Sequence, residues 1–185
     1  MTTFSRGEYP VRFGFLLIND FTLISLASAV EPLRMANRIC REDHYSWRII
    51  SASGEPVSAS DGLEIIVDCG FNDADALHDL DLVVVCGGRR IEQNYDKTVI
   101  RWLKMVNQKG IALGAVCTGS HLLAAAGLLD GYRCSIHWEN LAALSDVFPG
   151  ISVNRSVFTI DRNRYTSSGG TAPVERSTNA RISTC

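Results

Sequence analysis

Apolar residues fall along this chain in short solid runs separated by longer stretches where they recur every third or fourth position. Val11–Ile18 (VRFGFLLI) is a continuous apolar run of strand length, closed by Asn19-Asp20. From Thr22 to Ile39 the apolar positions Leu23, Leu26, Ala27, Val30, Leu33 and Ile39 form one stripe, which predicts a helix. Pro32 lies inside it and is expected to kink or interrupt it. Ser46–Ser51 reads as a second strand. Val57–Val67 reads as two short extended pieces about an Asp61-Gly62 turn. Asp81–Cys86 (DLVVVC) and Ile111–Val116 read as buried strands. Between them Asp96–Gln108 is a helix, with Asp96 as N-cap and Gly110 closing it. Thr118–Ala126 predicts a short helix, Arg133–Ile136 a strand, Trp138–Phe148 a helix, and Ser152–Thr159 and Arg164–Ser167 the last strands before a Gly169-Gly170 turn.

Strands apolar on both faces, alternating with helices, predict a parallel sheet covered on both sides. The expected fold class is therefore α/β, a flavodoxin-like three-layer sandwich with a mostly parallel central sheet. In such sheets ligands bind at the carboxyl ends of the strands. Asn19-Asp20, Gly87-Gly88, Cys117-Thr118-Gly119 and His137-Trp138-Glu139 all fall at those ends.

Length and composition narrow the picture. The 185 residues suit one domain, with 46% hydrophobic and 21% charged residues, a composition that excludes intrinsic disorder. Eighteen basic and twenty acidic residues leave a net charge of −2, which gives no bulk attraction for nucleic acid. The start MTTFSRGEYPVRF lacks the layout of a secretory leader, and no apolar run reaches membrane-spanning length. A cytoplasmic chain with no membrane partner is expected. The six cysteines, scattered and without a C-x-x-C pair, are expected to stay reduced. Residues 1–10 are expected to be flexible, 11–173 to form the domain, and the polar, aperiodic stretch 174–185 to be disordered.

The sharpest local signal is GAVCTGSHLLAAAG, Gly114–Gly127. A buried strand ends at Cys117 and a helix follows at once, the strand–turn–helix logic that exposes a nucleophile. A helix N-terminus there would lower the thiol pKa. The same position suits a buried structural cysteine, and spacing does not choose between them. His137 follows twenty residues later, and if Arg133–Ile136 lies beside the strand before Cys117, its imidazole reaches the thiol. The alternative is a histidine satisfied by backbone. Gly87-Gly88 either cradles an anion or makes a simple turn, and Arg89-Arg90 either meets a carboxylate or is solvated. Trp138 and Glu139 suit a cationic or quaternary ammonium ligand, or else a core tryptophan and a favourable helix-start charge. The histidines lack ligand spacing with Cys or carboxylates, so neither a metal nor any cofactor is expected.

With VVVCGG, AVCTGSHLLAAAGLLDG and SIHWEN in place, residues 11–173 resemble the DJ-1/PfpI (class I glutamine amidotransferase-like) superfamily. Within it the IHWENL and SSGGTAP segments are most similar to the amino-terminal sensor domain of AraC-family transcriptional regulators of carnitine, glycine betaine and arginine catabolism. The resemblance implies a domain that binds a small-molecule effector. It also implies a homodimer, with DNA contacted only through a helix-turn-helix domain that this sequence does not show. Cys117 matches the family's nucleophile, His137 its histidine, and Gly88 and Thr118 the backbone amides of its oxyanion pocket. The carboxylate that many enzymatic members place beside the cysteine falls near Ser25, with Asp20 an alternative acid.

Two functions are thus expected to compete. One is an effector-binding module with a cleft among Asp20, Gly87, Gly88, Cys117, Thr118, His137, Trp138 and Glu139. The other is a Cys-dependent hydrolase or hydratase acting on a small carbonyl or nitrile-type substrate, with Cys117 and His137 catalytic. A carboxylate at the Cys117 sulfur would distinguish them.

Overall fold

The computed structural model describes residues 10–74 and 76–170. The expected flexible start, the 173 boundary and the expected disordered tail lie outside the described residues, apart from Pro10. A six-stranded sheet runs through the molecule in the order β2-β1-β5-β6-β10-β9. Its strands are β1 (Val11–Leu17), β2 (Tyr45–Ile50), β5 (Leu82–Cys86), β6 (Ala112–Val116), β9 (Phe158–Asp161) and β10 (Arg164–Ser167). All neighbours pair in parallel except β9, which runs antiparallel to β10. Two small ladders complete the strands. β3 (Val57–Ser58) pairs antiparallel with β4 (Glu64–Ile65), and β7 (Arg133–Cys134) pairs in parallel with β8 (Ser152–Val153).

Strand period decides which side each residue covers. On one face Val83, Val85, Leu113 and Ala115 pack beneath α2 (Lys97–Gln108), α3 (Gly119–Ala125) and α4 (Leu141–Val147) through Val99, Leu103, Leu122 and Leu144. On the other, Phe15, Leu17, Val84, Cys86 and Val116 pack beneath α1 (Leu23–Cys40) through Leu26 and Leu33. These are the three layers expected of strands with no polar face. Asp96 caps α2 as predicted, its carboxylate accepting from the Thr98 and Val99 amides at 2.8 and 3.1 Å.

Four expectations change. Pro32 does not interrupt α1, which runs as one 18-residue helix. The Trp138–Phe148 stretch divides into a 3-10 turn, Trp138–Asn140, and α4. Ser152–Thr159 divides into β8 and the start of β9. Cys69, Cys86, Cys117 and Cys134 are free thiols, but Cys40 is disulfide-bonded, which corrects the expectation of six reduced cysteines.

Strand order reverses between β1 and β5, so the crevice of this fold opens at their carboxyl ends. The peptide after β1 crosses there. The Thr22 amide donates to the Gly87 carbonyl at 3.1 Å, and the Arg89 amide to the Asp20 carbonyl at 3.0 Å.

Candidate functional site

β6 delivers Cys117 to the crevice in the left-handed conformation, at φ 58°. A non-glycine residue there carries roughly 1–3 kcal/mol of backbone strain, and such strain gathers at functional positions. Asp20 (φ 60°) and Arg90 (φ 48°) share it, and both border the same crevice. The close approach of β1 and β5 requires glycine at position 88, where a Cβ would run into the Asp20 carbonyl and lie 2.7 Å from Phe21 backbone. Thr118 locks the arrangement by donating its hydroxyl to the Gly88 carbonyl at 2.7 Å.

The environment of the Cys117 sulfur is made of hydroxyls. Thr22 Oγ1 lies 3.4 Å from Sγ. The Ser25 hydroxyl and the Thr118 amide act on the thiol in the same sense, each lowering its pKa. No carboxylate hydrogen-bonds it among the described residues. Cys117 is only 4% exposed, and burial raises its pKa against the lowering effect of these three donors. The Glu139 charge pushes in the same direction as burial. The thiol is therefore neutral at pH 7. The expected lowering by the start of α3 does not prevail, because this seven-residue helix begins inside the packed molecule.

Asp20, the alternative acid, makes no hydrogen bond to the sulfur among the described residues. Its carboxylate meets Arg90 NH2 at 2.6 Å, and that hydrogen bond holds its pKa below the ordinary carboxylate value. Arg90, itself largely exposed, pairs with Asp20 at the edge of the crevice.

His137 arrives by a route the sequence did not disclose. β7 is not beside β6; β10 takes that place. The chain after β7 is pinned instead by side chains. The Ser135 amide donates to Thr166 Oγ1 at 2.8 Å, and the Ser120 hydroxyl donates to the Ser135 carbonyl at 2.7 Å. This brings the His137 amide within 3.2 Å of the Cys117 carbonyl. Its ring faces Glu139 (Nδ1 to Oε2, 3.8 Å) and Trp138 (centroids 5.8 Å apart). The main chain of His137 is thus tied to Cys117, but its imidazole makes no hydrogen bond to the sulfur among the described residues. Trp138 is 69% exposed rather than packed in the core.

Of the eight candidates, Thr118 is hydrogen-bonded to Gly88, His137 to Cys117 through backbone, and Gly88 packs against Asp20, while Trp138 and Glu139 flank the His137 ring. Three contributors escaped the residue-by-residue reading: the Thr22 hydroxyl, Ser28 and the Gly169-Gly170 backbone. Their signal was present in polar residues placed on the buried stripe of α1. Thr22 starts that helix without capping it, and its hydroxyl faces Cys117 instead.

The chain matches the DJ-1/PfpI family over residues 14–178 and belongs to that family. Among curated proteins it is similar to the HTH-type transcriptional regulator GbdR of Pseudomonas aeruginosa, 51% identical over 180 residues, covering 95% of this chain and 48% of the relative. It is 41% identical over 163 residues to the HTH-type transcriptional regulator CdhR of the same species, covering 88% and 47%. The chain thus spans about half the length of the regulators it matches. A crystal structure of an AraC family transcriptional regulator from Pseudomonas putida aligns with TM-score 0.83 and 34% identity over 92% of this chain and 90% of that one.

Proposed function

We propose that this chain is the effector-sensing domain of an AraC-family transcriptional regulator, and that its effector is a quaternary amine or amino acid of the carnitine, betaine or arginine type. One observation carries the choice of a sensor over an enzyme: the Cys117 sulfur is buried and faces the Thr22 hydroxyl, with no carboxylate hydrogen-bonded to it among the described residues, while Asp20 is engaged by Arg90. The strained turn of a nucleophile is kept, but the acid that would activate it is not at hand. The similarity to half of each HTH-type regulator supports the same reading.

The binding site would extend from Asp20 and Gly87-Gly88 across Cys117-Thr118 to His137, Trp138 and Glu139. The exposed Trp138 face and the exposed Glu139 carboxylate offer a cation–π contact and a counter-charge to a cationic group. Residues 11–173 form the sensing unit in this reading, acting in the cytoplasm as a homodimer. DNA would be contacted through a helix-turn-helix domain outside this sequence. A ligand acts by preferring one arrangement of the domain, and coupling of this kind is typically about 1–3 kcal/mol.

A thermal-shift panel of carnitine, glycine betaine, dimethylglycine and arginine beside neutral carbonyl compounds tests the proposal. An effector at about 100 times its dissociation constant stabilises by about 2.7 kcal/mol. A shift with an amine that is recovered unchanged supports the sensor. Consumption of a carbonyl compound that stops in Cys117→Ala supports the hydrolase or hydratase reading.

A further inference from the structure

Thr166 on β10 and Thr159 on β9 are register partners, so strand period puts both side chains on one face of the sheet. Ser135, just beyond β7, lies against that pair. Its amide donates to Thr166 Oγ1 at 2.8 Å, and its hydroxyl oxygen lies 2.7 Å from Thr159 Oγ1. Its carbonyl accepts from the Ser120 hydroxyl of α3 at 2.7 Å. Ser135 is thus held at its N–H, its C=O and its hydroxyl, in each case by a side chain. Ser120, Ser135 and Thr166 are fully buried and Thr159 nearly so.

The protons in this cluster can be assigned. Asn154 Oδ1 accepts from the Ser156 amide at 3.0 Å and lies 3.1 Å from both the Ser135 and the Thr159 hydroxyl oxygens. Each hydroxyl has one proton to give. One of the two therefore donates to Asn154 and receives the proton of the other, which makes a continuous chain ending on the amide oxygen. The Asn154 amide in turn donates to the Cys134 carbonyl at 2.9 Å. Polar groups buried this deeply keep their geometry, because each lost bond leaves a desolvated donor or acceptor.

The cluster is tied to both sides of the Cys117 turn. Thr166 pairs in register with Ala115 on β6, two residues before Cys117, and Ser120 lies three residues after it. Two residues beyond Ser135 the His137 amide donates to the Cys117 carbonyl at 3.2 Å, and Trp138 and Glu139 follow. We propose that Thr166 is a positioning residue for the effector site: through the Ser135 amide it sets where the His137-Trp138-Glu139 wall stands against Cys117. This rests on the reading of that crevice as the effector site. Thr166 acts through Ser135 rather than by touching a ligand. An apolar residue of the same shape would fill the space but leave the Ser135 N–H without an acceptor, so the segment has to move to find one.

The test needs no effector, so its failure is distinct from failure of the sensor reading. NMR of the 185-residue chain follows the His137 amide and ring and the Trp138 indole, with the Trp47 indole on β2, at the opposite edge of the sheet, as control. Thr166→Val is expected to shift the His137 and Trp138 resonances and leave that of Trp47 in place. It is also expected to speed exchange of the His137 amide about two- to tenfold beyond any change at the β1 amides, the range of one hydrogen bond. Thr166→Ser, which keeps the hydroxyl, should restore the wild-type resonances and rate. Ser120→Ala, which frees the Ser135 carbonyl, should shift the same resonances as Thr166→Val. Unmoved His137 and Trp138 resonances in Thr166→Val, whatever its melting temperature, would leave Thr166 a structural role only and overturn the proposal. A Thr166→Ser variant that matches Thr166→Val would overturn it too. If Thr166→Val does not fold, Ser120→Ala decides by the same resonances.

Discussion

Thr22 and Cys117 lie 95 residues apart in sequence and 3.4 Å apart in space, hydroxyl to sulfur. That contact defines the character of the site. A hydroxyl can share a hydrogen bond with a neutral thiol, but it cannot drain the proton as a carboxylate would. The strained turn at Cys117 is therefore retained in a setting that favours contact with a ligand over attack on one.

The buried thiol should be sluggish. Because burial raises the Cys117 pKa, thiolate forms only above the ordinary thiol range. Iodoacetamide labelling of Cys117 at pH 7 should be slower than that of an exposed thiol, and should climb as pH rises past 9. Peptide mapping of the labelled protein at a series of pH values measures this, and fast labelling at pH 7 would show an activated nucleophile instead.

The same physics sets an alkaline limit on stability. Cys134 is pushed up to about 11 from an ordinary value near 9, and Cys86 is raised further, both by burial. An acid whose folded pKa is raised contributes stability that is complete below its unfolded pKa. Above it the unfolded chain ionises first, so stability falls as pH climbs from about 9 towards 11, by up to about 1.4 kcal/mol per pH unit for each such thiol. Urea melts across that range should show the fall, and Cys134→Ala should make it shallower.

Gly169 has no room for a side chain. Its φ of 91° and the 2.8 Å approach to Cys117 predict that Gly169→Ala costs about 2–3 kcal/mol. Denaturant melts would measure this directly. A loss below about 0.5 kcal/mol would mean that the turn shifts freely. By contrast Asp96→Ala, which only removes the α2 cap, should cost about 1 kcal/mol.

Trp138 can be separated from folding because it is largely exposed. Trp138→Ala should leave the melting temperature within about a degree, yet weaken binding of a quaternary ammonium effector about tenfold or more, as loss of a cation–π contact implies. Calorimetric titration of wild type and variant with the same amine makes the comparison. Equal affinities would take Trp138 out of the site.

The sheet was legible because its strands are short, solid and apolar on both faces, so periodicity alone located β1, β5 and β6. The turn at Cys117 was legible for a related reason: a strand and a helix with no residues to spare between them force the junction into the crevice. What periodicity could not show was the position of β7. Two residues of strand carry no pairing preference, and its neighbours are fixed by Ser135 binding Thr166 and Ser120, side-chain contacts that no spacing rule reports. Spacing left the thiol's character open for lack of depth. A helix start lowers it and burial raises it, and only the three-dimensional packing says that burial prevails. Ser25 and Ser28 lie on the buried side of α1, where apolar spacing does not register them, and their partner, Gly170, lies more than 140 residues away.

The most direct measurement is an equilibrium titration of the chain with carnitine, glycine betaine, dimethylglycine and arginine, followed by quantitation of each compound after release. The account predicts saturable binding of one of these amines, full recovery of it unchanged, and loss of affinity in Trp138→Ala. Absence of binding across all four, together with Cys117-dependent consumption of a small carbonyl or nitrile compound, would contradict it.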